Sequence, residues 1–163
     1  MAIKRMNHAV LYVRDADRTF AFYRDTLGFR LVGEFPGAKF LKAPDSTNDH
    51  DLALFSIGAD AGDSTAGRST VGLYHIAWEV RTLGDLQEIA LRLSDADALA
   101  GATDHSTTKA LYAKDPDGLE FEVCWLVPER FLDEETVGAK TQLRPLNLDA
   151  DIARYGAQTP GGV

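Results

Sequence analysis

The chain has 163 residues, of which 45% are hydrophobic and 26% are charged, an ordinary composition for a globular protein. Its formal net charge is -8 and it has no basic block, which argues against nucleic acid and anionic membranes as partners. The single cysteine excludes an intrachain disulfide, and no apolar run approaches the about 20 residues of a membrane span. Because the N-terminus also lacks the apolar core of a signal peptide, we expect a cytoplasmic protein.

The first part of the chain predicts a strand, a helix and three further strands. Asp15 is a suitable N-cap for a helix from Ala16 to Leu27, and Gly28 is a suitable residue to end it. Alternating or β-branched segments predict strands at residues 6–13, 29–34, 38–42 and 51–57. Residues 58–70 are rich in Gly, Ala, Asp and Ser and are typical of a linker.

The same order of elements then recurs. The pattern predicts a strand at 72–81, a helix at 82–94, a weak strand or loop at 101–105, and strands at 109–114 and 119–126. Sliding the chain by 67 residues places His8 on His75 and superposes the two helices. We therefore predict an α+β protein of two βαβββ units, 1–60 and 70–127. In the C-terminal extension, 128–163, we expect a short helix from Asp149 to Tyr155 and a frayed end from Thr159 to Val163.

The segment Asp115-Pro116-Asp117-Gly118 is a turn followed by an alternating strand. The residues on one face of that strand are apolar, and those on the other are Glu120, Glu122 and Cys124. A carboxylate opposite such an apolar face needs water or a cation. We interpret Glu122 as a metal ligand together with His8 and His75, since two imidazoles and one carboxylate form the set that non-haem Fe(II) oxygenases use. Each histidine taken alone is more typical of an ordinary polar residue of a strand than of a metal ligand.

Three short motifs carry a resemblance to a known family: Asn7-His8, Tyr74-His75-Ile76, and the Asp-Pro-Asp-Gly turn ahead of Glu122. Over about residues 5–127 the chain resembles the vicinal oxygen chelate superfamily. The resemblance implies two βαβββ units that form a cupped mixed sheet around a divalent metal held by His8, His75 and Glu122. Glyoxalase I, an epimerase, thiol transferases for fosfomycin and extradiol ring-cleaving dioxygenases share these motifs.

Within the superfamily, the chain most resembles a type I extradiol catechol 2,3-dioxygenase. Glyoxalase I and the epimerase take a fourth ligand from the place that Phe55 occupies here, or Ser56 if the register slips by one, and neither is a good metal ligand. The resemblance to the dioxygenases implies that His50 acts as acid and base, while His105 and Tyr112 orient the substrate. It also implies Fe(II) as the metal, with Mn(II) as the alternative ion, and a catechol with O₂ as the substrates. Taken singly, His50 and His105 are also typical of loops, and Tyr112 of a strand.

Two other readings stay open at this point. A glyoxalase-like or thiol-transfer enzyme would use Ni(II), Zn(II) or Mn(II) and would consume no oxygen. A metal-free protein of the same fold would bind an aromatic drug, although such a protein does not need the two histidines and the glutamate. We expect a homo-oligomer, and the sequence leaves open whether the two units pair within one chain or in a swapped dimer.

Overall fold

The structure is a computed structural model that describes residues 2–162. Contacts divide the chain into two compact units, one of Met1–Ser64 with Asp115–Gly118 and one of Thr65–Lys114 with Leu119–Val163. Each unit contains a strand, a helix and three further strands, which confirms the predicted α+β class and its two βαβββ arrangements. No helix among the described residues combines the length and the apolar character needed to cross a membrane.

The first unit has one helix and four strands: β1 (Ala9–Val13), α1 (Ala16–Leu27), β2 (Arg30–Phe35), β3 (Ala38–Lys42) and β4 (Leu52–Ser56). The Asp15 carboxylate accepts hydrogen bonds from the first N–H groups of α1, and Gly28 ends the helix with a φ of 75°. Glycine adopts this left-handed conformation at little cost. Helix α1 has the predicted bounds because its N-cap, Asp15, and its terminating residue, Gly28, directly flank it in the sequence.

The strands of the first unit form a sheet in the order β1-β4-β3-β2, with β1 parallel to β4. Helix α1 packs on β3 and β4 over a core that includes the fully buried Leu41, Leu52 and Leu54. The predicted first strand began at residue 6, but β1 begins at Ala9. Its partner β4 begins at Leu52, directly opposite Ala9, so the earlier residues have no strand to pair with.

The second unit repeats this arrangement and adds the C-terminal segment: β5 (Ile76–Glu79), α2 (Leu83–Asp95), β6 (Leu99–Asp104), β7 (Thr108–Lys114), β8 (Glu120–Leu126), α3 (Glu134–Gly138), β9 (Arg144–Pro145) and α4 (Leu148–Tyr155). The sheet order is β5-β8-β7-β6-β9. A capping box between Thr82 and Asp85 starts α2. Phe121, Val123 and Trp125 of β8 are buried, so Glu122 and Cys124 lie on the opposite face, as the alternation predicts.

Within the second unit, the C-terminal segment packs on α2 and on the end of β8. The predicted helix near residue 149 is confirmed as α4, and its Tyr155 ring lies 5.5 Å from that of Trp125. The predicted frayed end is wrong for residues 159–162, while Val163 lies outside the described residues. Gly161 N donates to the carbonyl of Arg81 at 2.8 Å, and Gly162 N donates to that of Leu126 at 3.0 Å. The close approach of the C-terminal segment to Trp125 requires glycine at position 161, because a Cβ there would lie 2.6 Å from the Trp125 ring.

Candidate active site

The second unit brings His75 and Glu122 together. His75 immediately precedes β5, and Glu122 lies on the adjacent strand β8 opposite Ala77. His75 Nε2 is 3.2 Å from Glu122 Oε2, and the two side chains are 25% and 13% exposed. The other ring nitrogen of His75 is buried and has no hydrogen-bond partner among the described residues. One potential metal-ligating atom of the pair, His75 Nδ1, is therefore not used by the protein. An imidazole beside a carboxylate is a combination that suits a divalent transition metal.

Tyr112 lies beside this pair. It is directly opposite Glu122 in the antiparallel register of β7 and β8, so the two side chains share a face of the sheet. Its ring lies 6.0 Å from that of His75. Burial, with a further contribution from the Glu122 charge, raises the pKa of Tyr112 above its usual value. The phenol is therefore protonated at neutral pH and can donate a hydrogen bond.

His105 is held against Tyr112 by the turn between β6 and β7. His105 Nε2 lies 3.0 Å from the Tyr112 hydroxyl, within hydrogen-bonding distance. The His105 N–H donates to the carbonyl of Thr108 at 2.9 Å. Ser106 takes a left-handed φ of 65°, and its N–H donates to the Asp104 carboxylate at 2.7 Å. The tight turn thus directs the imidazole back over β7, which brings four of the predicted site residues into one cluster: His75, His105, Tyr112 and Glu122.

The first unit brings together the other two histidines. His8 immediately precedes β1 and His50 lies two residues before β4, and their ring centroids are 4.4 Å apart. His8 Nδ1 is 2.7 Å from the Asn7 amide oxygen, and His50 Nδ1 is 3.0 Å from the Asp49 carboxylate. The sequence predicted no role for the side chains of Asn7 and Asp49, although each directly precedes a predicted site histidine.

Aromatic side chains continue this surface of the first unit. The Phe40 ring lies 5.2 Å from that of His50, and the rings of Phe35 and Phe55 lie 5.8 Å and 6.2 Å from that of Phe40. Phe55 lies among other phenylalanine rings and offers no donor atom. The result is an apolar strip next to two imidazoles, which is suited to contact with a flat aromatic ring.

Cys124 shares the face of β8 that carries Glu122. It is a free, buried thiol. Burial, together with the charges of Glu122 and Glu79, raises its pKa to about 12. The thiol is therefore protonated at neutral pH, which makes it a poor metal ligand and a poor nucleophile.

Over residues 2–162, no group of three or more His, Cys, Asp and Glu side chains is arranged to hold a metal ion. What the structure does assemble is one cluster in each unit. The second unit supplies an imidazole–carboxylate pair with a hydrogen-bonded tyrosine and histidine beside it. The first unit supplies two neighbouring imidazoles, each with an oxygen partner on its Nδ1.

Comparison with known proteins places these features in a family. Residues 5–123 match the model of the Glyoxalase/Bleomycin resistance protein/Dioxygenase superfamily. The chain is 35% identical over 116 residues to biphenyl-2,3-diol 1,2-dioxygenase 3 of Rhodococcus globerulus, covering 70% of this chain and 59% of that protein. It is 30% identical over 132 residues to a lactoylglutathione lyase of Oryza sativa subsp. japonica, covering 74% of this chain and 43% of the lyase. The chain thus spans less than two thirds of the length of these relatives.

A solved structure has the same fold. The glyoxylase/bleomycin resistance protein/dioxygenase domain from Frankia sp. EAN1pec superposes with a TM-score of 0.62 at 21% identity, over 76% of this chain and 98% of that domain. The family model covers most of the chain, from before β1 to the middle of β8. The chain therefore belongs to the glyoxalase/bleomycin resistance protein/dioxygenase superfamily, the vicinal oxygen chelate superfamily.

Proposed function

We propose that this chain catalyses extradiol cleavage of a catechol-type vicinal diol with O₂, using Fe(II) held by His8, His75 and Glu122. The observation that carries the proposal is the His75–Glu122 pair with the Tyr112–His105 hydrogen bond directly beside it. Two imidazoles and a carboxylate leave coordination positions open. The similarity to a biphenyl-diol dioxygenase supports the same chemistry. Mn(II) is the alternative ion, because this ligand set distinguishes the two weakly.

The metal-binding part of the proposal rests on the chemistry of the donor atoms. His75 has a buried ring nitrogen without a partner in the described residues, and Glu122 is only 13% exposed. A largely buried carboxylate beside an imidazole is a good pair of ligands for a divalent cation. When bound, Fe(II) supplies the positive charge that lowers the pKa of a diol hydroxyl and the redox chemistry that O₂ requires.

The roles of the remaining residues follow from their contacts. His50 can take a proton from the diol and return it later, because an imidazole can both accept and donate a proton and the Asp49 carboxylate can hold its Nδ1 proton. Tyr112, protonated at neutral pH, donates a hydrogen bond to a substrate oxygen while His105 fixes the direction of its hydroxyl. Phe40 and Phe55 offer apolar contact to the substrate ring.

The test uses two glutamates of one strand. The protein is loaded with Fe(II) without oxygen, catechol is added, and air is admitted while oxygen uptake and the yellow ring-opened product are followed. We expect Glu122→Ala to lose iron, measured by elemental analysis, together with activity. Glu120→Ala is the matched control, since Glu120 lies two residues earlier on β8 and faces solvent. Full iron occupancy in Glu122→Ala would remove Glu122 from the ligand set, and absence of oxygen uptake by the loaded wild-type protein would refute ring cleavage.

A lyase acting on a thiol adduct is the second candidate, because the lactoylglutathione lyase is similar over most of this chain. The resemblance described above would require a fourth ligand at Phe55, and that side chain is an aromatic ring packed 6.2 Å from Phe40. This reaction would proceed without oxygen and would need a thiol. Turnover of the hemithioacetal of methylglyoxal and glutathione, with no response to catechol, would favour the lyase.

A further inference from the structure

We infer that Asn7 is a positioning residue for His8, and that Asn48 and the buried Asp51 hold Asn7 in place. The inference rests on the proposed function, since it concerns how His8 is prepared to bind metal. Asn7 Oδ1 lies 2.7 Å from His8 Nδ1. An amide oxygen only accepts hydrogen bonds, so this contact favours the tautomer that carries its proton on Nδ1 and its lone pair on Nε2. Histidines that bind metals generally use the second ring nitrogen in this way.

The backbone on both sides of His8 is tied to one loop. Before His8, the carbonyl of Asn7 accepts a hydrogen bond from Asn48 Nδ2 at 2.7 Å. After His8, the N–H of Ala9 donates to the carbonyl of Asp51 at 3.0 Å. Asn48 Nδ2 also donates to Asp51 Oδ1 at 2.7 Å, so the hydrogen bonds on both sides of His8 lead to the same aspartate. His8 is therefore fixed at its two neighbours, although its own side chain is exposed.

Asp51 is itself held rigidly, because it is buried and accepts several hydrogen bonds. It is only 7% exposed, and its carboxylate also accepts hydrogen bonds from Ser46 Oγ at 2.7 Å and from Ala43 N at 2.9 Å. A buried carboxylate that accepts several hydrogen bonds holds its surroundings rigidly. The chain of contacts from Asp51 through Asn48 to Asn7 thus connects a rigid buried group to the imidazole.

The Asn7 side chain itself contributes little to the stability of the fold. It is exposed, and in the described structure His8 is the hydrogen-bond partner shown for its amide oxygen. A hydrogen bond at an exposed site contributes little to folding, since water replaces it readily. The consequence of the contact is therefore the tautomer and orientation of the His8 ring, whose centroid lies 4.4 Å from that of the His50 ring.

The first test measures metal affinity. Asn7→Leu keeps the approximate volume and removes the acceptor, whereas Asn7→Asp keeps an acceptor. Thr47→Val is the matched control, because Thr47 lies in the same loop and its hydroxyl accepts a hydrogen bond from Arg5 Nη1 at 2.9 Å. We expect Asn7→Leu to bind Mn(II) about 10- to 100-fold more weakly than wild type. Asn7→Asp and Thr47→Val should bind within a few-fold of wild type, as roughly expected for intact outer contacts.

The second test measures the tautomer of His8 in the metal-free wild-type protein by ¹⁵N NMR at a pH where the ring is neutral. We expect the proton on Nδ1 in wild type and a mixture of tautomers in Asn7→Leu. A proton on Nε2 in the wild type overturns the inference, and so does unchanged Mn(II) affinity in Asn7→Leu while His8→Ala loses the metal. If His8→Ala itself binds Mn(II) as wild type does, the proposed metal site fails instead. The wild-type measurement does not depend on how well any variant folds.

Discussion

Asp117 offers a sharp test of how the first unit is stabilised. Its side chain is 6% exposed and lies 3.1 Å from Arg14 Nη1 and 2.5 Å from Arg18 Nη2. The N–H of Arg14 donates to its second oxygen at 3.0 Å. In Asp117→Asn, one of the two oxygens becomes an NH₂ group that faces these donors. The buried carboxylate therefore loses its charge and about half of its hydrogen bonds.

The size of the effect follows from the exposure of the partners. Removing one member of a fully buried ion pair costs about 3–5 kcal/mol, but the Arg18 side chain is 49% exposed and regains water when the carboxylate is gone. We therefore expect Asp117→Asn to lower the free energy of unfolding by about 2 kcal/mol, the cost of losing one or two hydrogen bonds to a charged group. The matched control is Asp63→Asn. Asp63 lies 2.5 Å from the same Arg14 guanidinium but is 88% exposed, so its loss should not shift the urea midpoint measurably.

The pH dependence gives an independent check. Burial opposes ionisation of Asp117, but the hydrogen bonds from Arg14 and the charge of Arg18 outweigh it and hold the pKa below the usual 3.8. A lowered acid pKa stabilises the fold above the unfolded pKa, and this stabilisation disappears as the pH falls through the folded pKa. The difference between wild type and Asp117→Asn in urea denaturation should thus be full at pH 6 and shrink below about pH 4. Equal midpoints for Asp117→Asn and Asp63→Asn, or a difference that is the same at every pH, would refute this reasoning.

Three further predictions concern other parts of the chain. Gly161→Ala should lower stability by about 1–3 kcal/mol in thermal melting, because its Cβ would lie 2.6 Å from Trp125, whereas Gly138→Ala, with open space around it, should melt as wild type. Cys124, with a pKa of about 12, should react with iodoacetamide at pH 8 far more slowly in the folded protein than in urea, as followed by mass spectrometry, and equal rates would contradict its burial. His50→Phe should still bind catechol but turn over about 100-fold or more slowly in the oxygen-uptake assay, and full activity would exclude it as acid and base.

The sequence alone determined the elements whose signals are local. Asp15 and Gly28 lie at the ends of α1 and give its bounds, and the alternation along β8 places Glu122 on the face opposite the buried Trp125. The 67-residue repeat also matched His8 with His75, and each directly precedes the first strand of its unit, although both were predicted to lie within those strands. These signals are readable because helix ends and strand faces depend on residues a few positions apart.

Tertiary structure decided the partners of these residues. The contact between His75 and Glu122 and the approach of His105 to Tyr112 depend on which strands pair and in what register. The register of β6 against β7 shifts between Leu99 and Gly101, and the local sequence pattern did not predict this shift. The packing of the C-terminal segment on Trp125 likewise depends on the absence of a side chain at Gly161. The Gly- and Pro-rich sequence of this segment had instead suggested a frayed end. Such contacts join residues distant in sequence, and their energy comes from packing that exists only once the strands have assembled.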